Sequence, residues 1–229
     1  YLDNSFDPNI THEALSNENT RKKVINKTLE LCKKYGMKGI NIDFEHTKID
    51  DRDYITDFVR EFRQAAGDDF IITVDVTPQI SADVTKEPYD RKALAEIADY
   101  MVVMAYDQHW GSSDKAGSVA QYKWVEGSVN VLFRNIPNKK MILGVPLYTR
   151  IWKEAGGKVT SKTISMDEVA RIIAAKGLKP VWDKESQQNY IEYQENNADY
   201  KIWIEDANSL EKKVSLVNKY NLSLIHISE

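Results

Sequence analysis

A chain of 229 residues, 42% hydrophobic and 29% charged, with a formal net charge of −4, holds one large domain or two small ones and enough apolar material for a sizeable core. Ten glycines, six prolines, twelve tyrosines and five tryptophans exclude a linker-rich or disordered chain, and the mild acidity excludes a general nucleic-acid binder, which needs a basic surface. A single cysteine, Cys32, excludes an internal disulfide framework and any zinc site built on several thiolates, while no apolar run approaches the roughly 18–20 residues of a membrane span.

Asn19-Thr20 opens the first predicted helix. Val24, Ile25, Thr28, Leu31, Cys32 and Tyr35 recur along it at three- and four-residue spacing, and Gly36 stands where a C-terminal cap belongs. The isoleucine-rich run 39–45 reads as a strand. Asp50-Asp51 starts a second helix with Tyr54, Ile55, Phe58, Val59 and Phe62 inward and Gly67 after it. Strand 70–76 stops at Thr77-Pro78, helix 90–98 feeds the apolar strand 100–106, and helix 119–134 precedes strand 140–145. The rhythm breaks after Trp152. Helix 165–176 is followed by strand-like runs at 180–183, 190–194 and 201–204, then helix 209–220 and the apolar tail 222–227.

Near-continuous apolar strands alternating with helices imply parallel strands covered by helices. Four such strands from Gly39 onward, plus the tail, make five. An eight-stranded barrel needs eight, so the chain is either an open doubly wound sheet or a barrel that lacks its first strands.

Within strand 39–45, alternation puts Asn41, Asp43 and Glu45 on one face and Ile40, Ile42 and Phe44 on the other. Two carboxyl groups on one face of a buried strand are costly unless paired and close enough to couple, which pushes one toward staying protonated near neutral pH. A protonated acid at a strand end suits protonation of a glycosidic leaving oxygen. The alternatives are a solvated pair of strand-end acids or a metal site, the latter without any His or Cys cluster in support.

This segment resembles glycoside hydrolase family 18, whose signature is Asp-x-x-Asp-x-Asp-x-Glu. Met104-Ala105-Tyr106-Asp107 is similar to the family's Met-x-Tyr-Asp, residues 144–150 to its Gly-x-Pro-x-Tyr-x-Arg, and Trp203-Ile204-Glu205-Asp206 with Ser209 to the segment closing its small α+β insertion. Asn41 to Glu45 and Tyr106 to Trp110 look like the bacterial branch of spore-cortex lytic and germination-type glucosaminidases. The resemblance implies an α/β, (β/α)8 TIM-barrel type fold, incomplete by its first two to three strands and truncated in its last. Its implied divisions are a barrel part at 1–151, an α+β insertion at 152–205, and the last barrel helix with a partial strand at 206–229.

The resemblance also implies roles. Glu45 matches the general acid/base, Asp43 the carboxylate that orients the substrate's acetamido group, and Tyr106 the hydroxyl donor to it. Asn41, Met104, Asp107, Trp110, Tyr148 and Arg150 are the expected sugar contacts. The implied reaction is retaining, substrate-assisted hydrolysis of β-1,4 bonds at N-acetylglucosamine in peptidoglycan or spore cortex. A chitinase or chito-oligosaccharidase and a non-catalytic, lectin-like binder are the alternatives. No metal or organic cofactor is implied, and the expected partner is a glycan rather than nucleic acid or membrane, with wall-binding modules outside the chain. The implied location is extracellular, in the cell envelope or spore; the chain itself shows no signal peptide and opens at Tyr1 rather than Met.

The chain also departs from the signature, because Lys38 and Asn41 replace its first two aspartates, and the tail 222–229 carries no tryptophan. Asn41 is positioned to bond Asp43, and Asp75 to bond Thr73 and Thr77 on its own face. Cys32 reads as inert core, His46 and His109 as loop residues, and Lys139-Lys140 and Lys212-Lys213 as solvated pairs.

Overall fold

The structure, a computed structural model, describes residues 2–3, 5–79, 83 and 87–228. The chain divides into two compact units, Tyr1–Val103 with Val131–Ile142, and Met104–Asn130 with Leu143–Glu229.

In the first unit, β1 (Leu2–Asp3), α1 (Pro8–Leu15), α2 (Glu18–Lys34), β2 (Gly39–Asp43), α3 (Arg52–Ala66), β3 (Ile71–Val76), α4 (Arg91–Ile97) and β4 (Tyr100–Met104) follow in order. The strands run parallel as β1-β2-β3-β4, with Asp3 beside Asp43, Asn41 beside Thr73 and Asp75 beside Val102. β1 precedes the first strand legible in the sequence, the run 39–45; Tyr1 and Asn4 fall outside the described residues. Gly39 is required where β2 meets β3, since a Cβ there would stand 2.6 Å from the Ile71 carbonyl.

The first long helix starts two residues earlier than the sequence suggests, because the Asn17 side chain accepts from the N–H groups of Asn19 and Thr20. Its inner face also differs. Ile25 and Cys32 are buried, but Leu31 and Tyr35 are exposed. In its first turn the buried residue is Arg21, whose guanidinium forks onto Glu61 of α3 at 2.6–3.1 Å and donates to the Leu15 carbonyl at 2.7 Å. In α3 the expected residues Ile55, Phe58, Val59 and Phe62 are all buried. Phe44, Phe58, Phe62 and Phe70 stack in tilted succession at 5.6–6.1 Å beneath β2. Lys140 is not a solvated lysine: its ammonium donates to the carbonyls of Ala95 and Ala98 at 2.7 and 2.8 Å, closing the end of α4.

α5 (Tyr122–Leu132) and β5 (Met141–Pro146) each have residues in both units. The second unit continues through β6 (Tyr148–Ala155), β7 (Lys158–Ser165), α6 (Met166–Lys176), β8 (Val181–Asp183), β9 (Gln188–Glu195), β10 (Ala198–Ile204), α7 (Ala207–Tyr220) and β11 (Leu224–Ser228), the last lying beside β5. Five of these strands form an antiparallel sheet in the order β7-β6-β10-β9-β8. Ile164, Ile191, Ile202 and Ile204 of that sheet form a core with Val169 of α6. Three strands of this sheet were legible as strand-like runs; β6 and β7 were not, because β7 alternates Lys, Thr and Ser with few apolar residues. A buried ion pair anchors α7 to its preceding strand. Glu205 is 0% and Lys213 1% exposed, and they meet at 2.7 and 2.9 Å. Lys213 is thus a core residue, whereas the Lys212-Lys213 doublet suggests a solvated pair.

Candidate active site

In the first unit the acidic cluster grows from the strand ends. β2 finishes at Asp43, two residues sooner than the apolar run implies, so Glu45 leaves the ladder. The turn that carries it is fixed from two sides: Tyr89 donates to the Phe44 carbonyl at 2.5 Å, and His46 adopts φ 53°, a left-handed conformation uncommon outside glycine. Asp43 is buried at 4% exposure and Glu45 half-buried.

Asn41 turns its amide to β3 rather than to Asp43. Its amide donates to Asp75 Oδ2 at 2.8 Å and its carbonyl oxygen accepts from Thr73 Oγ1 at 2.5 Å. Asp75, only 8% exposed, therefore bonds the neighbouring strand rather than its own threonines, and its Oδ1 is buried with no hydrogen-bond partner. Burial first, and then the charges of Asp43 and Glu45, push the Asp75 carboxyl up to about 7 against the Asn41 hydrogen bond. The sequence points to Asp43 and Glu45 as the acids raised toward neutrality; the carboxyl whose rise the structure resolves is Asp75, one strand over. The signal was present: an aspartate inside the apolar run 71–76 has no apolar rationale.

In the second unit, Met104, Tyr106, Asp107, Trp110, Tyr148 and Arg150 come from the exit of β4, the loop after it and the start of β6. Met104 is buried. The Tyr106 N–H turns back to the Met104 carbonyl at 2.8 Å, and Asp107 sits at φ 55°. Tyr148 donates to Asp107 Oδ1 at 2.8 Å, and its phenol is pushed up by burial first and by that carboxylate second. Arg150 holds Ser161 Oγ at 3.2 Å and lies 3.9 Å from Asp107. The rings of Tyr106 and Tyr148 meet edge-on at 6.5 Å. Trp110 is 52% exposed on its turn, as a sugar-stacking face requires. His109 has a packing role instead: its Nδ1 bonds the Ser118 carbonyl at 2.9 Å and its ring fills the space over Gly117.

No group of three or more His, Cys, Asp or Glu among the described residues could hold a metal ion, and no helix among them is long and apolar enough to cross a membrane.

Parallel strands that carry acids at their C-terminal ends in the first unit, and tyrosine, aspartate and arginine side chains at strand ends in the second, are features of an α/β protein whose strand ends supply its polar groups. The chain belongs to the glycosyl hydrolases of family 18, whose model matches residues 11–226. Among curated proteins it is 29% identical to the uncharacterized glycosylase YvbX of Bacillus subtilis, over 97% of this chain and 65% of that one. It is 26% identical to the cortical fragment-lytic enzyme of Bacillus subtilis, over 95% and 52%. The chain thus spans between half and two-thirds of the length of these relatives. Among solved structures it is similar to the putative sporulation-specific glycosylase YdhD of Bacillus subtilis, with a TM-score of 0.89 at 28% identity over 97% of this chain and 74% of that one. The Bacillus cereus spore cortex-lytic enzyme SleL shares the fold at a TM-score of 0.88 and 24% identity, over 98% and 53%.

Proposed function

We propose that this chain carries the catalytic apparatus of a retaining glycosidase that cleaves β-1,4 bonds at N-acetylglucosamine, acting on peptidoglycan or spore cortex in the cell envelope or spore. The observation that carries the reading is the acidic cluster at the ends of β2 and β3. A buried Asp43, a half-buried Glu45 and a carboxyl held near neutrality stand together, an arrangement whose desolvation cost is useful only for acid–base chemistry.

In this reading Glu45 gives its proton to the leaving glycosidic oxygen. The substrate's acetamido oxygen attacks the anomeric carbon from the opposite face, and a water deprotonated by Glu45 then opens the resulting oxazolinium ring with overall retention. An internal nucleophile gains from proximity. Asp43 favours the positive charge that develops on the ring, and Tyr106 donates to the acetamido oxygen. Asn41, Met104, Asp107, Trp110, Tyr148 and Arg150 bind the sugars; Trp110 offers an exposed indole face, and Tyr148 and Arg150 hold Asp107 for a sugar hydroxyl. The names of the sporulation and cortex-lytic relatives favour a cortex glycan over chitin.

The test compares muropeptide release from purified cortex with turnover of chito-oligosaccharides, and follows the product anomer by NMR. Release of the β-anomer first, with no turnover of the N-deacetylated glycan, is the expected result. Inversion, or equal turnover without the acetyl group, contradicts substrate assistance. Turnover of chito-oligosaccharides alone moves the assignment to a chitinase.

A further inference from the structure

We propose that Asp75, which none of the recognised motifs includes, is a positioning residue for this reaction: acting through Asn41, it fixes the carboxylates at the end of β2 and sets the upper pH limit at which they work. The proposal rests on the hydrolase reading above and adds to it a residue from the neighbouring strand.

The geometry is that of a built pair. β2 and β3 run parallel with Asn41 beside Thr73, so Asn41 is gripped at both ends of its amide, by Thr73 Oγ1 on its oxygen and by Asp75 Oδ2 on its nitrogen. That grip fixes the flip of the amide, which leaves Asn41 a fixed dipole two residues before Asp43. A buried carboxyl whose Oδ1 has no partner is wasteful as mere structure, because asparagine or serine would satisfy the same amide at lower desolvation cost. Among the described residues, the groups that face it are few. Asn41, Asp43 and Glu45 face it from the β2 side. Val102 is its neighbour in β4 and carries no charge. Thr77, further along its own strand, is occupied by Arg91 at 2.9 and 3.1 Å.

The consequence is directional. Below about 7 Asp75 is neutral; above it a further negative charge appears beside Asp43 and Glu45. Like charge favours the protonated form of a neighbour, so Glu45 keeps its proton, and its role as acid, to higher pH than it would alone.

The experiment measures the pH profile of kcat/KM on a soluble N-acetylglucosamine oligomer or on cortex fragments, for the wild type, Asp75→Asn, and the swap Asn41→Asp with Asp75→Asn. In Asp75→Asn the alkaline limb moves to lower pH by about half a unit or more; in the swap, which returns one acid to the pair, it moves back. Unfolding by urea from pH 4 to 8 gives a second readout that needs no turnover. Because the folded-state Asp75 carboxyl is raised to about 7, its own contribution to stability is greatest below the ordinary carboxylate range and is lost as pH rises to 7. The advantage of Asp75→Asn over the wild type therefore grows from about pH 4 to 7 and then levels. Normal turnover with superimposable limbs for wild type and Asp75→Asn overturns the proposal alone, as does an equal loss at every pH that the swap leaves in place. A stability difference that is flat across pH overturns it as well. A wild type that releases no reducing ends from either substrate overturns the hydrolase reading, and the proposal with it.

Discussion

Tyr148 and Asp107 illustrate how much of a site can be read at the level of single residues. Both were identifiable from their motifs. The hydrogen bond that makes them a unit depends on the left-handed turn at Asp107, which no alternation pattern encodes. Tyr148→Phe removes that donor, frees Asp107 to rotate, and should lower kcat/KM by about tenfold, the scale of one hydrogen bond to a charged group, with little change in unfolding midpoint. An unchanged kcat/KM would show that Asp107 needs no orienting partner. Asp75 shows the opposite case. Its strand and face were legible, but its partner was not, because bonding to Asn41, 34 residues away in sequence, depends on the register between two strands rather than on either strand alone.

At the scale of elements, what decided legibility was whether burial followed periodicity. α3 was plain because its apolar stripe is its buried stripe. α2 was misread along one edge because its apolar period runs on through Leu31 and Tyr35, which are exposed, while the buried Arg21, tied to Glu61 and to the Leu15 carbonyl, lies outside that period. α1 went unseen for a similar reason, since it buries only Thr11 and Leu15 and offers almost no apolar period. Local capping chemistry, by contrast, is written in the sequence. Ser165 accepts from the Glu168 N–H at 3.2 Å while Glu168 accepts from the Ser165 N–H at 3.1 Å, a reciprocal cap on α6. Ser165→Ala should cost about 1 kcal/mol in urea unfolding, and a value indistinguishable from zero would mean that the contacts of Val169 with the sheet hold the helix unaided.

At the scale of the whole molecule, the parallel strands and the family were legible because four motifs fall in order along the chain. The buried Glu205–Lys213 pair was not, although Glu205 lies in one of those motifs, because a doublet of lysines on a helix ordinarily faces water. Burial pushes the Glu205 carboxyl up, while Lys213, Ser209 and Gln188 bond its charged form. Removing one partner strands the other charge in the core: Lys213→Ala should destabilise the protein by about 3–5 kcal/mol. The double replacement Glu205→Gln with Lys213→Met should recover much of that loss. Additive costs in the double variant would show that the two groups do not act as a pair.

The most direct test of the catalytic reading is the rate of reducing-end release by Glu45→Gln, on a substrate whose scissile bond adjoins an N-acetyl group, compared with the wild type at equal unfolding midpoint. Loss of the proton donor predicts a fall in kcat of about a thousandfold, within the range that general acid catalysis contributes, with KM little changed. Turnover by Glu45→Gln equal to that of the wild type would contradict the account at its centre.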